Sequence, residues 1–220
     1  MTDTSQHMVV VTAVGCAAVA GDGIGPPAPS LANAVGAVRS GACDRVTVKT
    51  GHGGEIEMQL EAEIPARRRG ARILAELRGL ALTETASGDA DPDDLQPARA
   101  IRRALADGGM RAGEVEYASA ETVGRADPQR ELHAIERGLG RFAPAVVLDP
   151  GGLSVVRCVI AIAIGRPSSP LAFESDDSDI AALATSVRSR LATALAVSGA
   201  VALIINAAEG NLALAFGRPR

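Results

Sequence analysis

Tryptophan is absent from the sequence, and three phenylalanines and one tyrosine are the only aromatics in 220 residues. A core without large rings must be filled by Ala, Val, Leu and Ile, which suits close packing of helices on a sheet. Lysine is nearly missing too: Lys49 stands alone, and arginine carries the rest of the positive charge. The net charge of −4 argues against a nucleic-acid partner, since binding phosphate needs a concentrated basic face. The three cysteines, Cys16, Cys43 and Cys158, show neither a CxxC nor metal-ligand spacing, which argues against zinc and against a disulfide framework. No basic region precedes the first apolar run, so no secretory leader is expected. Two apolar stretches, 153–165 and 191–208, invite a membrane reading. The first is short and contains Arg157, and the second is rich in Ala, Ser and Gly. Both read as buried strands and helices. The expectation is a soluble, cytoplasmic protein with no membrane partner, cofactor or metal.

What is present is an alternation of strand-like and helix-like segments. "MVVVTAVGCAAVAG" (8–21) is a β-branched run closing on glycine, and "SLANAVGAVRSGA" (30–42) is an apolar helix with Ser30 as candidate N-cap and Gly41 as candidate C-cap. "DRVTVKTG" (44–51) and "GEIEMQLEAE" (54–63) alternate as strands. In the second, Ile56, Met58 and Leu60 share one face, and Glu55, Glu57, Gln59 and Glu61 form a wet one. A basic turn and a long strand are expected over 65–85, then an acidic loop, then a helix over 97–107. "EVEYASAE" (114–121) reads as a strand. "DPQRELHAIERGLG" (127–140) reads as a helix with Asp127 as cap and Pro128 at its first position. A strand at 144–150, a buried helix at 151–165, an acidic connection and one or two closing strands complete the pattern. Strands alternating with helices predict an α/β fold with a largely parallel sheet.

Three residues stand out as candidates for chemistry. Glu121 lies in "EYASAETVGRAD", at the end of a strand, where α/β folds present catalytic groups. His52 lies in "KTGHGGE", between glycines that let a ligand approach the backbone. Cys16 follows a strand and precedes glycine. It would need a neighbouring base or helix N-terminus to act as a nucleophile, and otherwise serves as a small buried hydrophobe. Asp127 is better explained as a helix cap than as an acid–base partner of Glu121, and Asp149 before "PGG" is a further strand-end carboxylate. Cys43 and Cys158 read as structural, His133 as exposed on a polar helix, and His7 as part of the amino terminus. The glycine groups "GDGIG" and "TGHGG" lack phosphate-loop spacing.

Taken in order, these segments resemble the β-ketoacyl synthase family of the thiolase fold. "VVVTAVGCAAVAGDG" is similar to that family's opening strand, and "LANAVGAVRSGACDRVTVKTG" resembles the helix and strand that follow its nucleophile. "GEIEMQLEAEIPARRRGARILAELRGLALT" and "ARAIRRALADGGMRAGEVEYASAE" carry the most specific likeness, and "GNLALAFGRP" resembles the closing strand. The resemblance implies a thiolase-like layered fold in one domain over 1–220. A shortened amino-terminal half (1–64) would be internally deleted, and the carboxyl-terminal half (65–220) would be nearly complete.

The family needs a thiolate and two histidines. The resemblance places Ile24 at the nucleophile position and Glu121 at the first histidine. Neither a histidine nor the family's lysine occurs near 148–154. That pattern implies a non-condensing subunit like the chain-length factors of type II polyketide synthases. It would pair with a full-length ketosynthase, an acyl carrier protein or a second copy of itself, and shape an acyl pocket. The alternative is a remodelled enzyme that performs acyl transfer, cyclisation or dehydration on a carrier-bound polyketide with Glu121, His52 or Cys16.

Overall fold

Apolar alternation and glycine stops set the order of elements. The computed structural model describes residues 8–16, 31–50, 56–83, 96–122, 128–140, 145–149, 154–167, 196–206 and 210–220. Strand β1 (Val9–Cys16) and helix α1 (Leu31–Arg39) precede β2 (Arg45–Thr50) and β3 (Ile56–Ala62). A short helix, α2 (Glu63–Arg68), leads to β4 (Ala75–Thr83) and α3 (Gln96–Asp107). Two strand–helix steps follow: β5 (Tyr117–Thr122) with α4 (Pro128–Leu139), and β6 (Ala145–Asp149) with α5 (Ser154–Ile164). The last elements are β7 (Gly199–Asn206) and β8 (Gly210–Gly217).

Among the described residues the eight strands form one sheet in the order β2-β3-β1-β4-β8-β7-β5-β6. Among the described strands, parallel pairing is confined to β5 with its neighbours β6 and β7. The pairs β1–β3, β1–β4, β2–β3, β4–β8 and β7–β8 are antiparallel. The sheet is therefore mixed, which corrects the expectation of a largely parallel one. Short connections join β2 to β3 and β7 to β8, and such links can only return the chain antiparallel.

Side chains alternate across the sheet, and each face has its own core. On one face Met58, Leu60, Leu77, Tyr117 and Phe216 pack with Val35 and Val38 of α1 and with Val155, Val159 and Ile162 of α5. On the other, Ala118, Ala120, Val201 and Leu203 pack with Ile101 and Leu105 of α3 and Ile135 and Leu139 of α4. The result is an α/β/α layering in which almost every contact is aliphatic. Helix α3 comes very close to β4: a Cβ placed on Gly79 would sit 1.9 Å from the Ala104 carbonyl oxygen.

Several local expectations hold. Gly41 closes α1 with a positive φ of 73°, and the Ala42 N–H donates to the Ala37 carbonyl at 2.9 Å. Pro128 opens α4. The caps assigned to Ser30 and Asp127 lie outside the described residues. Two expectations change. The stretch expected as a basic turn and long strand contains α2, in which Glu63 and Arg67 form an i,i+4 ion pair at 2.7 Å, and the strand occupies only Ala75–Thr83. Glu61, placed on a wet face from the pattern, is only 2% exposed, because Arg69 and Thr12 fold over it.

Glu116 holds the entry to β7. Its carboxylate accepts from the Ser198 N–H, the Ser198 hydroxyl at 2.8 Å and the Gly199 N–H at 3.0 Å. We expect Glu116→Ala to cost about 1–2 kcal/mol, because it strips the acceptor from three donors at a partly exposed site. Urea denaturation followed by circular dichroism reads this directly. An unchanged midpoint would count against the bridge.

Candidate functional site

The direction of the strands decides which residues can meet. β4, β5, β6 and β7 all run the same way, so their carboxyl ends share one edge of the sheet, and β8 begins there. At that edge Glu121 sits in register with Asp149 on β6 and Ile204 on β7. Thr83 of β4 pairs with Asn211 of β8. Asn211 donates through Nδ2 to the Thr83 hydroxyl at 3.5 Å, and that hydroxyl donates to the Gln96 carbonyl at 3.1 Å. Both residues are buried. Helices α4 and α5 begin shortly after the ends of β5 and β6, so their amino-terminal partial positive charges lie toward the same edge.

Cys16 lies elsewhere. It pairs with Ile56, which pairs in turn with Thr50, so the connection that carries His52 leaves from the same end of the sheet as Cys16. Four strand spacings and about ten residue steps along the sheet separate Cys16 from Glu121, on the order of 30 Å or more. Glu121 therefore does not share a site with Cys16. His52 itself, Ile24 and Asp127 lie outside the described residues.

The thiol nearest the Glu121 edge is that of Cys158, on α5. It is free and fully buried. Burial pushes it far above the ordinary thiol range, and a Ser119 backbone hydrogen bond and the Arg157 charge only partly oppose that. A thiol held protonated in an apolar core is not a nucleophile. Its neighbour on β5, Ser119, is completely buried, and its hydroxyl has no hydrogen-bond partner among the described residues. His133 is exposed on α4, as expected. Among the described residues no three of His, Cys, Asp and Glu are grouped to hold a metal. No described helix is long and apolar enough to cross a membrane.

Among the described side chains the edge thus offers the Thr83 hydroxyl and the Asn211 amide, with Glu121 and Asp149 in register at the strand ends. Sequence reasoning found Glu121 and Asp149 there but missed Thr83 and Asn211. Their only signal was a polar residue at the end of one apolar run and at the start of another.

No family model matches the sequence. Over 133 residues the chain is 32% identical to Nodulation protein E of Rhizobium meliloti, covering 54% of this chain and 33% of that protein. With Nodulation protein E of Rhizobium sp. (strain N33) the identity is 28% over 181 residues, covering 73% of this chain and 45% of the relative. Among solved structures, the ishigamide ketosynthase/chain length factor superposes with a TM-score of 0.67 at 22% identity, over 84% of this chain and 57% of that one. The chain shares the fold of a ketosynthase/chain length factor.

A second neighbour carries the same fold: a type II polyketide synthase acyl-carrier protein in complex with its ketosynthase, with a TM-score of 0.68 at 18% identity. The chain spans a third to under a half of the length of the curated relatives it matches. Its α/β layers are those of the thiolase-type ketosynthases, over about half of the neighbours' length.

Proposed function

We propose that the chain is a non-condensing, chain-length-factor-like subunit of polyketide or fatty-acid-type biosynthesis. As a single thiolase-like unit in the cytoplasm, it pairs with a full-length ketosynthase, or with itself, to shape an acyl pocket offered to a carrier protein. The observation that carries this reading is position 121. A glutamate stands at the carboxyl end of the central parallel strand, where the resemblance puts the first catalytic histidine. An ionised carboxylate accepts hydrogen bonds and donates none, so it cannot stabilise a developing enolate as a histidine donor does. The alignment of Ile24 with the nucleophile and the sealed thiol of Cys158 support the same reading.

The register of Glu121 with Asp149 favours a second reading, in which two neighbouring carboxylates do acid–base work on a carrier-bound polyketide. Incubating the purified chain with acyl- and malonyl-carrier protein separates the two. The subunit reading expects no product from the chain alone, co-purification with a ketosynthase, and an unchanged complex for Glu121→Gln. Turnover by the chain alone that disappears in a folded Glu121→Gln variant would establish the enzyme instead.

A further inference from the structure

Strand β2 ends the sheet: β3 pairs with one side of it, and no described strand pairs with the other. The ladder shows which groups face outward. The Ala62 N–H donates to the Asp44 carbonyl at 2.8 Å, which makes Asp44 and Ala62 a hydrogen-bonded pair in the β2–β3 register. Such pairs alternate along an antiparallel ladder. The backbone groups of Val46, Val48 and Thr50 therefore point to β3, and those of Arg45, Thr47 and Lys49 point away. These outward N–H and C=O groups have no partner among the described residues, the condition under which a sheet adds a strand.

The two faces of β2 specify what can be added. On one face Arg45, Thr47 and Lys49 stand opposite Glu61, Gln59 and Glu57 of β3. Glu61 takes its hydrogen bonds from Arg69 and Thr12, while Arg45 is exposed and forms no ion pair among the described residues. On the other face Val48 is fully buried in the core that α1 shares, but Val46 is only half-buried, although its partner Leu60 is completely covered. An aliphatic side chain beside Val46 would extend that core outward under α1.

A second copy of β2 fits this edge poorly. Two-fold pairing centred on Thr47, the register that uses the full strand, sets Arg45 opposite Lys49 twice, and like charges directly opposite repel. An acidic strand meets the same positions with the opposite charge, as β3 does from inside. We propose that the outer edge of β2 docks an extended segment of another protein, in which acidic or amide side chains alternate with aliphatic ones. The charges that turn away a second copy are those that select this partner. Strands β3, β1, β4, β8 and β7 separate β2 from β5, so the docking edge stands whichever chemistry the Glu121 edge performs.

A capped synthetic peptide, GEIEMQLEAE, has the sequence of residues 54–63 and carries the required alternation. Titrated into the full chain, it is expected to slow exchange of the Arg45, Thr47 and Lys49 amides about 10-fold or more at saturation. Its Glu57→Lys/Glu61→Lys version should bind about 10-fold more weakly, a gap that high salt narrows. In the full chain, Thr47→Pro removes one outward N–H and no bond to β3, so the urea midpoint should hold while peptide affinity falls about 10-fold. Arg45→Gln leaves the backbone intact and should reduce the preference for the acidic peptide. Absence of binding, equal binding of both peptides, or slowing confined to other amides overturns the proposal. Slow exchange at these amides without peptide overturns it too. Independent of protein concentration, it would mean that the chain covers its own edge; rising with concentration, it would mean that a second copy does.

Discussion

Gly79→Ala is expected to cost about 3 kcal/mol or more, a large share of the roughly 5–15 kcal/mol that holds a domain folded. The reason is a backbone contact, which no rotamer can relieve. A Cβ at this position lies 1.9 Å from the Ala104 carbonyl oxygen and 2.7 Å from the Gly108 nitrogen, so α3 must lift from β4. The movement spreads, because Ala104, Ile101 and Leu105 belong to the core that α3 shares with α4 and the sheet. With a urea slope of about 1–3 kcal/mol per M, the unfolding midpoint should fall by about 1 M or more. Gly36→Ala is the control of opposite sign. Gly36 lies in α1 with no heavy atom within 4 Å of the added Cβ, and relief of backbone entropy in a helix is worth about 0.5–1 kcal/mol. One glycine-to-alanine change should lower the midpoint and the other raise it. Equal midpoints for Gly79→Ala and the wild type would mean that α3 does not cross β4 at this point.

The contact at Gly79 also marks the limit of what the sequence reveals. Alternation along 54–63 located β3, because a period of two is written locally; the direction of a strand is not. The antiparallel position of β4 between β1 and β8 depends on pairings with residues far away in the chain. Strand–helix alternation therefore suggested more parallel pairing than exists. The same gap decided the site. Cys16, His52 and Glu121 were each legible as residues at the end of a strand. Only the strand directions show that Cys16 and the His52 connection lie at one edge and Glu121 at the other. Thr83 and Asn211 were illegible for the same reason: their contact joins residues 128 apart in sequence. The sequence pattern located α1, α3, α4 and α5 but not α2, because a core poor in aromatics still follows the helical period over a long helix.

The second large effect concerns Glu61, whose burial the sequence concealed. Its carboxylate accepts from the Thr12 hydroxyl at 2.6 Å and from Arg69 Nε at 3.1 Å, with a further close contact to Arg69 Nη2. Thr12 sits at the irregularity in β1 between Val11 and Ala13, so the bulge brings its hydroxyl beside the partner strand. Burial raises the Glu61 pKa, but the Arg69 and Thr12 hydrogen bonds and the charges of Arg69 and Arg45 more than offset this, leaving it below the ordinary 4.5. Glu61→Gln keeps the shape and removes the charge. It should cost about 1–3 kcal/mol at pH 7, toward the lower end because Arg69 is half exposed and retains water.

The sign with pH follows from the depressed value. The ionised form is favoured by folding, so its contribution is complete above the unfolded value near 4.5 and is lost as the pH falls through the lower folded value. The difference in urea midpoint between wild type and Glu61→Gln should therefore be constant from pH 7 to about pH 5. Below that it should shrink and then vanish as the wild-type carboxylate takes up its proton. A difference that persisted undiminished at the acid end would assign the loss to shape rather than charge. A difference that appeared only in acid would reverse the sign of the coupling and remove Glu61 as the charged link between β1, β3 and Arg69.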